Sequence, residues 1–428
     1  MVPGTGDRSK AFLGTPTLNS VSDASTILVS VSGPDHPGIS AGLMDVLASG
    51  GAEIYDVEQI VVRGRLTLEV LVGVAAEKAT IRDLLFFGWE QDLHIEFEVM
   101  EAEPSPVKHM AVVTMIGNTV GAEEFGAVAR AIARGDGNIE RIFRLSRYPV
   151  VSYELVISSG DIDVIRAGLV DVAAHLPIDV AIQPEGLERR ARRVVLMDVD
   201  STLIQEEVID LLGREAGVED RISEITASAM AGRIDFESSL RERVALIKGL
   251  DREALSRVAS RITVTPGART FIRTLKRMGV KSAVVSAGFT RFTDALAEDL
   301  GIDYSLSNTL DIRDGALTGE LVGDIVDADR KREFLEEIAK AEGVSLSQTV
   351  AVGDGANDLE MLSAAGLGIA FNAKPVVREH ADTAVSVPFL DAILFLMGIS
   401  REHVEAADAA DAEFHPPPLV DVPGTPPV

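Results

Sequence analysis

The feature that most limits this chain is a set of five short segments after Arg193: VVLMD, KSAVVSAG, TVAVGDG, LGIAF and TAVSV. Their valine, isoleucine, leucine and alanine run on without the alternation of a half-exposed strand. Continuous apolar strands are covered on both faces, which requires a parallel sheet wound by helices on its two sides, an α/β architecture. One interval departs from this pattern. Between Gln205 and Thr265 only helical periodicity occurs, in EEVIDLLGREAG, RISEITASAMAG, FESSLRERVALIKG and REALSRVASRI. That is too much helix for one crossover, so residues 204–265 are expected to form a helical-bundle insertion, or cap, in a sheet domain spanning 190–400. Later, LDIRDGALTGEL reads as a hairpin turning at Asp314-Gly315.

The first half follows another pattern and nearly repeats itself. ILVSVSGPDHPGISAGLMDVLASGGAEIYDVEQI matches AVVTMIGNTVGAEEFGAVARAIARGDGNIERIFRL, and Ile54 and Glu69 recur as Ile139 and Glu154. Each copy reads as strand, glycine-bounded loop, amphipathic helix and second strand, with a further strand in LTLEVLVGV and in VSYELVIS. The expectation is two α+β units, residues 26–103 and 108–185, joined by EAEPSPVKH. Residues 1–25 and the acidic, proline-rich text of 401–428 read as tails, the first of them disordered.

With 67 acidic against 40 basic residues, a formal net charge of −27 works against nucleic-acid and membrane-surface partners and favours a small-molecule one. The absence of cysteine excludes disulfides, thiolate catalysis and thiolate-bound metal. AILFLMGI falls far short of the ~20 residues that a membrane span needs, and the first residues lack an apolar signal region, so a soluble cytoplasmic protein is expected.

Ligands of open α/β sheets bind at the carboxyl ends of the strands. The first segment ends in Asp198 and Asp200, about 6.5 Å apart along an extended chain. Two charges at that separation repel by roughly 3 kcal/mol at an effective dielectric near 20, so both stay ionised only beside a cation. The second offers Ser286 and the amides near Gly288, suited to an anion. The third offers Asp354, Asn357 and Asp358, and DADRKREFLEEIAK offers Lys331 near a helix start. Carboxylates, a lysine and a hydroxyl suit a phosphoryl group and a hard cation, Mg2+ before softer metals. Blander readings compete: a lone Asp-x-Asp also occurs in solvated turns and glycosyl-transferase metal clamps, and Arg330 and Lys340 neighbour Lys331. Arg243 and Glu207 would serve equally as solvated helix charges.

DVDST, VVSAG, an isolated lysine and GDGAND in that order resemble the haloacid-dehalogenase superfamily, and EEVID, FESSLRERVALIKG and SAGF resemble its phosphoserine phosphatases. The resemblance implies hydrolysis of O-phospho-L-serine through an aspartyl-phosphate on Asp198, with Asp200 moving protons. It further implies Mg2+ held by Asp198, the Asp200 carbonyl and Asp354, phosphate contacts from Ser286, Gly288, Lys331 and Asn357, and support from Asp358. Glu207 would meet the substrate ammonium and Arg243 its carboxylate, with Phe236 closing the pocket. Family members often show two glycines where this chain has Ala287-Gly288, which bears on how closely backbone and phosphate approach there. The repeated units resemble tandem ACT domains of ferredoxin-like βαββαβ form, GPDHPG being the most recognisable piece. This resemblance implies an amino-acid regulator, L-serine, contacting Gly33, Gly38, Gly117 and Gly121, and a homodimer. A phosphotransferase or broader phosphatase, and a non-enzymatic amino-acid sensor, are the alternatives.

Overall fold

The structure is a computed structural model that describes residues 26–73, 78–100, 110–158 and 160–411. The expected tails at 1–25 and beyond 411, and the linker EAEPSPVKH, lie outside those residues. The chain divides into two compact units that meet at residues 107 and 108.

The first unit comprises β1 (Thr26–Pro34), a helix (Ile39–Ser49), β2 (Glu53–Val62), β3 (Arg65–Gly73), a helix (Lys78–Glu90) and β4 (His94–Met100). The antiparallel sheet has the order β2-β3-β1-β4. Alternation decides the faces: Ile27, Val29 and Val31 of β1 are buried in one cluster with Leu43, Leu47 and Leu84 of the helices. On the other face Ser30 donates a hydrogen bond to Glu69, its partner in the β1–β3 register. β2, an edge strand, is exposed along its length.

In the second unit the same plan recurs in β5 (Met110–Gly117), a helix (Ala122–Arg134), β6 (Asn138–Ser146), β7 (Val151–Ser158), a helix (Ile162–His175) and β8 (Ile178–Pro184), ordered β6-β7-β5-β8. Here part of the other face of the sheet is covered, although β6 stays exposed over most of its length. Ile116, Leu145, Val150 and Ala181 belong to the same core as Val195, Leu394 and Phe395. Gln183 Nε2 donates to the Leu396 carbonyl over 3.0 Å, and Ser386 N donates to Asp179 Oδ2 over 2.6 Å. Arg189, 5% exposed, pairs with Glu154, the counterpart of Glu69.

The large sheet comprises β9 (Val194–Asp198), β10 (Lys281–Phe289), β11 (Tyr304–Arg313), β12 (Ala316–Val322), β13 (Thr349–Gly353), β14 (Gly368–Phe371) and β15 (Thr383–Val385), ordered β12-β11-β10-β9-β13-β14-β15. All five apolar segments are strands in parallel pairings. β9 shows why they do not alternate: Val194 and Leu196 enter one core with Leu335 and Ile338, while Val195 and Met197 enter another with Phe271 and Leu275. The sheet is wider than the five segments suggest, because β11 runs parallel to β10 before turning into an antiparallel hairpin with β12. At that turn Asp314 and Gly315 both have positive φ, 52° and 84°, as a two-residue hairpin loop of this hand requires.

The insertion consists of four helices, Val208–Ala216, Glu219–Met230, Phe236–Leu246 and Arg252–Ala259. Asp235 and Asp251 cap two of them by accepting from Ser238 N and Ala254 N. Its two connections pair with each other at Ile204 and Val264, and Gln205 N donates to the Thr263 carbonyl over 3.0 Å.

One expectation needs correcting. The tail expected from residue 401 begins with a helix, Arg401–Ala410, in which Val404 is buried and Ser400 Oγ accepts from His403 N. Its acidic-alanine text looked solvating, but alanine favours helix, and Asp408 accepts from Arg273 and Arg277 of a distant helix. Among the described residues no helix is long and apolar enough to cross a membrane.

Candidate active site

Asp198 is the last residue of the central strand β9. Immediately afterwards the chain folds back in a tight turn: Ser201 has φ 58°, rare for a residue with a side chain, and Ile204 N donates to the Val199 carbonyl over 2.9 Å. The turn carries Asp200 and Thr202 over the strand end. Asp200 is fixed from two elements, Oδ1 accepting from Val208 N at the start of the cap (2.8 Å) and Oδ2 from Ser286 Oγ on β10 (2.8 Å). Ser286 Oγ in turn accepts from Gly288 N over 2.6 Å. A Cβ at Gly288 would lie 2.8 Å from Ser286 Oγ and 2.9 Å from Asp200 Oδ2, so this close approach requires glycine.

Lys331, on the helix Ala328–Glu342 capped by Asp327, is fully buried. Its Nζ lies 2.6 Å from Asp198 Oδ1 and 2.7 Å from Asp358 Oδ1. Arg330, the rival in sequence, points outward to Glu337 (2.8 Å). Asp358 has both oxygens engaged, since Oδ2 accepts from Gly355 N (2.9 Å). Asp354 Oδ1 accepts from Thr202 Oγ1 over 3.1 Å. Asp198 Oδ2 and Asp354 Oδ2 make no hydrogen bond among the described residues.

Asp198, Asp354 and Asp358 offer carboxylate oxygens that all lie within 4.8 Å of one another. This oxygen-only donor set fits a hard divalent cation. Its electrostatics point the same way. Burial raises the Asp198 carboxyl well above the usual range, and Asp358 adds to this while Lys331 opposes it. Burial, followed by Asp358, lifts Asp354 to about 6. Burial also raises Asp200, against the hydrogen bonds from Val208 and Ser286. For Lys331 burial alone acts downward, and Asp198 and Asp358 together reverse it, leaving the ammonium firmly charged.

A cavity of about 610 Å³ opens between the strand ends and the cap. Asp198, Asp200, Gly288, Asp354 and Asn357 line it from the sheet, and Glu207, Phe236 and Arg243 from the cap. Ser286, Lys331 and Asp358 stand behind that wall. Burial, then the charge of Asp200, lifts Glu207 to about 7, although Ser201 Oγ donates to it over 2.9 Å. Burial lowers Arg243, with Glu207 and Asp210 opposing. The predicted residues of the large domain therefore converge on one site. Ala287 lines the cavity, and its carbonyl accepts from Asn308 Nδ2 over 2.8 Å.

Sequence reasoning passed over Thr202, Asp210 and Lys374. Thr202 sat in the DVDST text as a strand-end residue without a carboxylate, and Asp210 appeared only as one helix charge among many. Lys374 has a usable signal, because it stands three residues beyond the carboxyl end of the apolar segment LGIAF, where ligands of such sheets bind.

The four glycines proposed for regulation differ among themselves. Gly38, at φ 102°, has nothing within 4 Å of a built Cβ. Gly33 packs against Leu93, and Gly117 against Thr119 and Ile178. The amide of Gly121 already donates to Glu124 Oε2 over 2.8 Å.

Residues 192–366 match the haloacid dehalogenase-like hydrolase family, and residues 25–98 and 108–183 each match an ACT domain family. A phosphoserine phosphatase of Streptomyces coelicolor is 49% identical over 96% of this chain and all of its own length. One of Mycobacterium tuberculosis is 45% identical over 90% of this chain and 96% of its own. Among solved structures, a HAD-family hydrolase of Salmonella enterica serovar Typhi is 31% identical, with a TM-score of 0.60, covering 67% of this chain and 98% of that one.

Proposed function

The chain belongs to the phosphoserine phosphatase family, haloacid dehalogenase-like hydrolases that here carry two ACT domains, and from that premise we propose that it hydrolyses O-phospho-L-serine to L-serine and phosphate through an aspartyl-phosphate. The observation that carries this reading is the asymmetry of Asp198. Lys331 occupies Oδ1, and Oδ2 is left for the cavity.

In this reading Asp198 Oδ2 attacks phosphorus as the bond from phosphorus to the serine oxygen breaks, and Asp200 delivers a proton to that oxygen. Burial, which keeps the Asp200 carboxyl high, favours the protonated form that this step consumes. Asp200 then takes a proton from water, whose oxygen attacks the phosphorus of the aspartyl-phosphate, and phosphate departs with Asp198 restored. Lys331 stabilises the Asp198 carboxylate as leaving group. A divalent cation, Mg2+ in this proposal, would be held by Asp198, the Asp200 carbonyl and Asp354, with Asp358 supporting the site through Lys331, and would screen the nucleophile from the phosphate it approaches. Ser286 acts through Asp200, whose orientation it fixes, and Gly288 through Ser286, while Asn357 faces the phosphate. On the cap, ionised Glu207 pairs with the substrate ammonium, Arg243 grips its carboxylate and Phe236 closes over it.

The ACT domains support an amino-acid regulator, which we read as L-serine acting in a homodimer, with Gly38 the best placed of the candidate contacts. The test of the activity is phosphate release from O-phospho-L-serine with Mg2+. Asp198→Asn is expected to abolish it, and turnover by that variant at the wild-type rate refutes the mechanism. Transfer of the phosphoryl group to added alcohols, in place of free phosphate, would instead identify a phosphotransferase.

A further inference from the structure

Lys374 lies just beyond β14, in FNAKPVV, immediately before the short helix Pro375–His380. It is exposed, and it lines the same cavity as Asp354, Gly355 and Asn357. Its Nζ is 3.7 Å from Sδ of Met230, at the end of the second cap helix. The side chain therefore spans the gap between the sheet and the cap at the mouth of the site.

The charges around it give this position a consequence. The cavity wall carries five carboxylates, Asp198, Asp200, Glu207, Asp210 and Asp354, against two cations, Arg243 and Lys374. Arg243 is half-buried, in the field of Glu207 and Asp210. Lys331 lies beneath the wall with its charge matched by Asp198 and Asp358. A phosphate dianion approaching a chain of formal net charge −27 is repelled over most of the surface. Lys374 is the solvent-facing cation of this wall, and its field is felt at Asp354, where it favours the ionised carboxylate.

We propose that Lys374 is the entry residue for phosphate: it draws the dianion to the cavity mouth and, by reaching to Met230, keeps the edge of the cap over it. This rests on the phosphatase reading and adds a residue that acts on capture rather than on the chemical step. An exposed charge of this kind works through the long-range field, which salt screens within about 10 Å at 0.1 M ionic strength.

The experiment compares wild type, Lys374→Gln and Lys374→Arg in the full chain with Mg2+, on O-phospho-L-serine and on p-nitrophenyl phosphate, over a range of ionic strength. For Lys374→Gln, kcat/KM is expected to fall about five-fold at low salt with kcat within two-fold of wild type, and its dependence on salt to flatten. Lys374→Arg is expected to restore both. The aryl phosphate shares only the dianion with phosphoserine, so the effect should carry over to it. Unchanged kcat/KM and salt dependence in Lys374→Gln, or a fall confined to kcat, would overturn the proposal. Wild-type activity on the aryl phosphate without activity on phosphoserine would defeat the substrate assignment, leaving Lys374 to be judged on the aryl phosphate alone.

Discussion

Asp354→Asn should make the metal-free protein more stable while removing its activity. The carboxyl is lifted from 3.8 to about 6 by burial and by Asp358. A shift of roughly two pKa units corresponds to about 3 kcal/mol. The sign follows from the direction: a raised carboxyl binds its proton more tightly in the folded state, so stability is fully present below about pH 4 and declines as pH rises to about 6. Above that, the ionised side chain carries the whole penalty. Asparagine does not titrate and retains an oxygen for the Thr202 hydroxyl, which donates to Asp354 in the wild type. The variant should therefore exceed wild type by up to about 3 kcal/mol at pH 8 in a chelator, a rise of a few degrees in the midpoint, with the gap closing toward pH 4. Calorimetry or circular dichroism of the second unit is the suitable assay, because the single tryptophan, Trp89, lies in the first unit. Added Mg2+ should stabilise wild type and not the variant. Equal stability of the two proteins at pH 8, or a gap that does not change with pH, would refute the electrostatic account.

Glu207, lifted to about 7, should make kcat/KM rise with pH through that value as the carboxylate that grips the substrate ammonium forms. Glu207→Gln should lose this limb and raise KM at least about ten-fold, as a pH–rate profile would show. Lys331→Ala leaves Asp198 and Asp358 buried without their cation, so urea unfolding at pH 8 should show a loss of about 3–5 kcal/mol that partly recovers at lower pH as Asp198, whose carboxyl burial already raises, takes up a proton. Arg243→Lys keeps the charge but not the two-pronged geometry, and steady-state kinetics should show KM up about ten-fold with kcat retained.

The large sheet and its cap were legible because their signals are local and strong. Short unbroken apolar segments set between helical stretches suit strands covered on both faces, and β9 divides its side chains between two cores. The acidic pair and the glycine-flanked motifs stand at strand ends, where chain reversal places functional groups whatever the remainder of the fold does. Local text could not rank like residues: Arg330 and Lys331 are adjacent cations on one helix, and only the helix packing turns Lys331 inward to Asp198 and Asp358. The helix from Arg401 is not legible in local text for a related reason, since the arginines that hold Asp408 come from far away in the chain.

The two repeats show most clearly where each kind of information ends. Their near-identical patterns of alternation were sufficient for the same strand–helix–strand–strand text twice, because strand and helix periodicity is a property of neighbouring residues, while the second helix and fourth strand of each unit were implied only by the resemblance to ACT domains. The fate of their open faces was not encoded there. Glu69 bonds Ser30 within its own sheet, whereas Glu154, half-buried like Glu69, pairs with the buried Arg189, and Ile116, Leu145 and Ala181 of its sheet join the core of the large sheet. Burial depends on which surfaces meet, and that is decided by the assembled chain: matched residues acquire different partners and different consequences.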